Sequence, residues 1–317
     1  MNYNVVIFFA ALVLPCASCS GKSSAKIQSQ DACTEAIVNI ENGLEVDSGL
    51  LDIDMFYCSD EDRILFDGYI DYIKPFKSYM MPELIIKTAS FFLNKPYVAS
   101  TLEFEPEGLV VNLREFDCST FVETVLALSR VVKLYEQPTF ENFCVQLQII
   151  RYRRGTINNY TDRIHYFSDW IYENETRGFV KDVTKEIGGE AYKFKLNYMS
   201  SHPDSYKQMK SHPEYVEIMQ KKESEISERM YSFIPKERIV SSGKEMRDGD
   251  IVCFVTDIEG LDISHVGFIH YNEGQLTFIH ASTAAKKVII NPQSLSVYAG
   301  KNKRNTGVMI VRPYFPK

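Results

Sequence analysis

The chain lacks the marks of several large protein classes. Basic charge is not in excess: 35 Lys and Arg stand against 42 Asp and Glu, a net charge of −7. A nucleic-acid partner, which would demand a strongly basic face or stripe, is therefore not expected. After the first twenty residues no apolar run approaches the roughly 20 residues that a membrane-spanning helix needs. No Gly-x-Ser-x-Gly elbow of a serine hydrolase occurs, and no His-Glu-x-x-His zinc motif. His202 and His212 sit before prolines in separated turns, so a compact zinc ligand set is missing and neither metal nor cofactor is expected. Gly21-Lys22-Ser23 lacks the upstream glycine of a phosphate loop, and no internal repeat or long low-complexity tract is found.

What is present is material for a large core. Of 317 residues, 45% are hydrophobic and 13% aromatic, enough for one large domain or two modest ones. Met1 to Ser20 contain the apolar run from Val5 to Leu14, the length of a signal-peptide core, so residues 1–19 are expected to direct export. No Lys or Arg precedes that run, and Pro15 and Cys16 interrupt its exit. Cys19 stands where the lipid of a bacterial lipoprotein would be attached; ordinary cleavage near Ser18 or Ser20 is the alternative. Export implies the periplasm or a lipoprotein anchored to the outer membrane, with Cys19 as the sole membrane contact. Past the leader the cysteines are Cys33, Cys58, Cys118, Cys144 and Cys253, an odd number in a compartment that permits disulfides. Cys33 and Cys58 are the expected bridge, whereas Cys144 and Cys253 lie in apolar runs and read as small buried hydrophobes.

Residues 20–35 are small and polar, a spacer, and 36–317 read as one domain with a helical lead-in over 36–80. Helices are expected from about Asp60, from Met81-Pro82 through Phe92, over Phe121–Leu134 with its broad apolar stripe, from Phe140 to Ile150, and within 197–230. The last third changes period. Ile251 to Val255, His265 to Tyr271, Leu276 to His280, Val288 to Ile290 and Val308 to Val311 read as short strands, with a hairpin turn at Asn272-Glu273-Gly274. Helices first and an antiparallel sheet afterwards give an α+β fold.

Chemistry concentrates at Arg114-Glu115-Phe116-Asp117-Cys118-Ser119-Thr120, where a polar turn becomes a helix and Cys118 falls at its N-terminus. Unpaired backbone N–H groups and the positive end of the helix dipole favour a thiolate there. Ser264-His265-Val266-Gly267 and Phe278-Ile279-His280-Ala281 each place a histidine at one end of a strand. The three residues suit a relay in which Cys118 attacks an amide carbonyl, His265 moves the proton, and His280 orients His265. Backbone N–H groups at the helix start would hold the oxyanion.

Phe116-Asp117-Cys118-Ser119-Thr120-Phe121-Val122 resembles the Asp-Cys-Ser-Gly-hydrophobic signature of NlpC-type cell-wall peptidases, a papain-like branch, with Thr120 in place of the usual glycine. Asp248-Gly249-Asp250-Ile251-Val252, His265-Val266-Gly267-Phe268-Ile269 and Phe278 to Thr283 resemble that branch's strands, and Pro96-Tyr97 its Pro-Tyr element. About twenty residues separate Tyr97 from Cys118, more than a minimal member has. That spacing, with Arg151-Tyr152-Arg153 and Arg163 to Trp170, resembles the larger N-acetylmuramoyl-L-alanine amidase-like family. The likeness covers about residues 80 to 315. It implies a monomeric hydrolase acting on peptidoglycan or muropeptide fragments, cutting the amide between the muramic-acid lactyl group and L-Ala. Cleavage of γ-D-Glu–diaminopimelate on the same substrates is the near alternative, and a catalytically dead peptidoglycan-binding module is the alternative of another class. Tyr97 and Ser264 are expected to line the substrate site, and Arg151, Arg153, Arg154, Arg163 and His165 are candidates for contacting stem-peptide carboxylates. The same arginines would equally serve structural ion pairs.

Overall fold

The computed structural model describes residues 56–314. The leader, Cys19, the spacer, Cys33 and the first part of the helical lead-in lie outside them. The pair β1 (Phe56–Tyr57) and β2 (Leu109–Val110) is parallel and short, and between its strands run α1 (Asp60–Ile73) and α2 (Met81–Phe91). Helix α1 starts where Ser59 and Asp62 close a capping box, with Asp60, Glu61 and Asp62 all acidic at the positive end of its dipole. Its Phe66, Tyr69 and Ile73 recur at helical spacing and are buried. Pro82 opens α2, where a missing N–H costs nothing.

Helix α3 (Cys118–Leu134) runs through the middle of the molecule, and every residue from Thr120 to Val132 is buried. It packs against α2, against α4 (Phe140–Arg151) and against the main sheet. After α4 come α5 (Phe167–Thr176), β3 (Val180–Asp182), β4 (Glu190–Tyr192), α6 (Tyr198–Ser201), α7 (Lys207–Ser211) and α8 (Glu214–Ser227). Then follow β5 (Tyr231–Pro235), α9 (Ile239–Ser242), β6 (Ile251–Thr256), β7 (Ile263–Asn272), β8 (Gln275–Ser282), β9 (Lys287–Ile290), α10 (Leu295–Lys301) and β10 (Asn305–Pro313).

The sheet has the order β4-β5-β10-β6-β7-β8-β9, with β3 also paired to β10, and its ladders are antiparallel. Alternation along the strands makes two cores. Cys253, Val266, Phe268, Ile279 and Met309 face α3, while Val252, Phe254, Phe278, Val308 and Ile310 face the other way, under Leu295 and Ala299 of α10. This is the mixed α+β arrangement with an antiparallel sheet that the sequence implied. Helix within 197–230 was expected and is found as α6, α7 and α8, whereas α5, β3, β4, β5 and α10 were not anticipated.

Cys58 is exposed and its expected partner Cys33 is outside the described residues. Cys144 and Cys253 are buried among apolar side chains, as their surroundings in the sequence suggested.

Candidate active site

Cys118 is the first residue of α3, and the turn before it is pinned twice. Asp117 caps the helix, its carboxylate accepting the Thr120 amide at 2.8 Å, while the Thr120 hydroxyl accepts the Asp117 amide at 2.9 Å. Thr120 therefore closes a capping box, a role that glycine could not fill. The second pin is an extended segment: Phe116 donates its amide to Pro96 O at 3.0 Å and Val98 donates to Phe116 O at 3.0 Å. That pairing carries Tyr97 to the Cys118 turn. Its hydroxyl is hydrogen-bonded to Thr283, and its pKa is pushed up by burial first and by the nearness of Cys118 second.

Strands β7 and β8 pair from Asn272–Gln275 as far as Phe268–Ile279 and then part. Ile269 turns its amide towards β6, where Asp250 O accepts it at 2.7 Å. By alternation Val266, three residues away, turns its amide towards β8. Beyond the last paired position that amide is given to the thiol of Cys118 instead. Gly267 is needed at the parting: a Cβ there would sit 2.7 Å from Ile279 O and 3.0 Å from the His280 Cβ.

His265 and His280 point to the sheet face away from the body of α3, among Phe254 and Phe278. His265 Nε2 lies 2.6 Å from His280 Nδ1, with the rings nearly perpendicular at 83°. The remaining ring nitrogen of His265 is Nδ1. His280 Nε2 is buried with no hydrogen-bond partner among the described residues.

Electrostatically the site differs from the thiolate expected of a helix start. Burial pushes the Cys118 thiol well above its ordinary pKa and Asp117 adds to it; the amides of Val266, Cys118 and Ser119 pull the other way and are outweighed. Burial lowers His265 to about 4. His280 is held well below its ordinary value by burial and then by His265. At neutral pH the thiol and both imidazoles are neutral.

The structure thus pairs His265 with His280, sets the amide of the neighbouring Val266 towards Cys118, and brings Tyr97 to the Cys118 turn. Ser264 sits at the bulge between β6 and β7, its hydroxyl donating to Phe254 O at 3.3 Å and Asn305 Oδ1 at 3.4 Å. The arginines are placed differently from one another. Arg151 is 2% exposed, donating to Glu123 at 2.7 Å and Val110 O at 2.6 Å. Arg163 is buried against Glu103 and Leu102 O, and Arg153 pairs with Asp169 and with Glu173 at 2.9 Å. Those three guanidinium groups are engaged by internal carboxylates, so each would meet a ligand only as part of a neutralised pair. Arg154 is exposed, on a backbone with φ of 58°. His165 is buried, with Nε2 2.9 Å from Tyr160 O.

Arg151, Arg163 and His165 do share a cavity of about 30 Å³ with Asp117, Ser119 and Thr120 of the Cys118 turn. Its other wall is Asp262 and Ile263, just before His265. Reasoning from the sequence overlooked Glu123, Asp262, Trp170 and Tyr298. Glu123 had a signal, an acid inside the apolar stripe of a buried helix. Tyr298 had none, because α10 is only seven residues long.

The family model for N-acetylmuramoyl-L-alanine amidase-like proteins (AmiA-like) matches residues 87–308. A crystal structure of an N-acetylmuramoyl-L-alanine amidase from Bacteroides uniformis is similar at 38% identity, covering 74% of this chain and 99% of that one, with a TM-score of 0.71. A structure from Bacteroides fragilis described as a putative xylanase is similar at 37% identity, over 71% of this chain and 99% of that one, TM-score 0.67. A Legionella pneumophila protein at 21% identity and TM-score 0.60, over 81% and 94% of the two chains, shares the fold. No curated protein matches. With the family model spanning well over half of its length, this chain belongs to the N-acetylmuramoyl-L-alanine amidase-like family.

Proposed function

We propose that the protein is an exported cysteine amidase with a papain-like, NlpC-type site, cleaving the bond between N-acetylmuramic acid and the L-Ala of the stem peptide. The observation that carries this reading is the 2.6 Å contact between His265 and His280 beside a thiol bonded to the Val266 amide. The name borne by the Bacteroides uniformis structure supports the choice of bond.

The proton inventory supports the assignment of roles. Each neutral imidazole carries one N–H. For His265 to accept a proton at Nδ1, its own hydrogen must lie on Nε2, donated to Nδ1 of His280. Cys118 Sγ then bonds to the lactyl carbonyl carbon as its proton passes to His265 and the carbonyl π pair moves to oxygen. The amides of Cys118 and Ser119, which face the sulfur, are placed to hold that oxyanion. Collapse breaks the C–N bond, and the L-Ala nitrogen leaves with the proton from His265. Water, deprotonated by His265, then splits the thioester and the proton returns to sulfur.

Because the resting thiol is neutral, attack and proton transfer are coupled and wait for a docked carbonyl. The substrates are peptidoglycan or its muropeptide fragments, met in the periplasm or from an outer-membrane anchor at Cys19, by a monomer.

Mass spectrometry of the products from a muropeptide with a full stem peptide tests the bond. Free sugar with its lactyl carboxylate, together with a peptide beginning at L-Ala, is the expected result. Cleavage after γ-D-Glu would make the protein an endopeptidase, and intact substrate bound without turnover would make it a binding module.

A further inference from the structure

Tyr298 is the residue of α10 that reaches the histidine pair. Its ring centroid lies 6.2 Å from that of His265 and 5.7 Å from that of His280. The same ring packs on Phe254 at 5.1 Å and on Phe278 at 4.8 Å, so it completes an aromatic enclosure of both imidazoles. The helix that carries it is fixed by Leu295 and Ala299, both fully buried in the second core, and by the Ser294 cap. Its ring is half-buried. Tyr97, the other tyrosine beside the thiol, has its hydroxyl committed to Thr283.

We infer that Tyr298 is a positioning residue of the site: its ring shields the His265–His280 pair from water. This rests on the reading of His265 and His280 as the proton relay. The Tyr298 pKa is raised by burial and then by Cys118, which places the hydroxyl within electrostatic reach of the thiol. Around the pair the titratable groups are Cys118 of α3, with Asp117 behind it, and Tyr298 of α10; β6 and β8 face it with Phe254 and Phe278. Among the described residues no carboxylate or ammonium group sets the histidine pKa values, which follow from burial and from the pairing itself. Removing the ring should therefore act directly on them, because water regains access to the imidazoles.

The test is an NMR titration of the imidazole resonances in the full mature chain, for the parent, Tyr298→Phe, Tyr298→Ala and Tyr298→Leu. The titration needs no substrate, so its outcome is independent of which bond the protein cuts. Tyr298→Ala is expected to move the His265 titration up from about 4 by at least one pH unit, and Tyr298→Phe to leave it in place. Tyr298→Leu keeps bulk at the position and replaces Tyr298→Ala if that variant does not fold. Folded Ala and Leu variants that both titrate like the parent would overturn the shielding role.

Discussion

The amide of Val266 is bonded to the thiol of Cys118 at the place where β7 and β8 part. One hydrogen bond thus joins α3 to the residue next to His265, and the separation of the two strands is what admits the sulfur. Gly267 and the Asp117–Thr120 capping box hold the two sides of that junction.

Thiol reactivity should follow the burial of Cys118. In the free protein, iodoacetamide is expected to label Cys118 slowly at pH 7, with a rate that climbs as pH rises past the ordinary thiol range, because the thiol is pushed above it. Peptide mapping of the labelled site against pH is the measurement. A rate already at its plateau below pH 7 would mean that the thiolate is preformed.

The histidines give two pH signatures. The acid limb of kcat/KM is expected near pH 4, where His265 takes up a proton, and not near 6.5. Stability has the matching sign. A histidine held neutral in the fold binds fewer protons than the unfolded chain between its two pKa values, so stability rises with pH across that window. For His265 the contribution is complete above about 6.5 and is lost as pH falls towards about 4. Denaturant melts at pH 7, 5.5 and 4.5 should show a steady fall in the transition midpoint, and a midpoint flat across that range would contradict the assignment.

In the proposed relay His280 acts through His265. Replacing it by Ala removes the partner at Nε2 and frees the ring to turn, which is expected to lower kcat by roughly 10² to 10⁴ with little change in KM. Steady-state kinetics of the folded variant decide this. A loss confined to KM would show His280 to be a binding residue instead.

Arg151 and Glu123 are a buried pair, 2% and 6% exposed at their side chains. Arg151→Ala strands a buried carboxylate and also removes the donor to Val110 O, so a loss of about 3–5 kcal/mol is expected. Arg151→Met with Glu123→Leu should recover much of it, as measured by denaturant melts. If Arg151→Ala costs nothing yet raises KM, the arginine serves the substrate and not the fold.

Much of this was legible in the sequence because the signals were local. The capped start of α3, the period-two runs of β6, β7 and β8, and the turn at Asn272-Glu273-Gly274 each depend on neighbouring residues, and they placed Cys118, His265 and His280. The amidase-like family, named from Thr120, the spacing between Tyr97 and Cys118 and the segments at Arg151-Tyr152-Arg153 and Arg163 to Trp170, is the one to which the chain belongs. What escaped depends on distant partners. Helix α5 buries Ser168, Asp169 and Asn174, and Asp169 is neutralised by Arg153 and Arg229, so its polar sequence hid a buried helix. The arginines looked available because Glu103, Glu123 and Asp169 come from other elements. The reactive thiolate expected at the start of α3 came from the helix dipole and the unpaired backbone N–H groups, whereas burial and Asp117 outweigh them.

The most direct test of the central claim is a side-by-side digestion of a defined muropeptide by the mature protein and by its folded Cys118→Ala variant, followed by mass spectrometry. Loss of stem-peptide release by on the order of 10⁴-fold or more is predicted for the variant. Release at the parent rate by Cys118→Ala would contradict the cysteine mechanism outright.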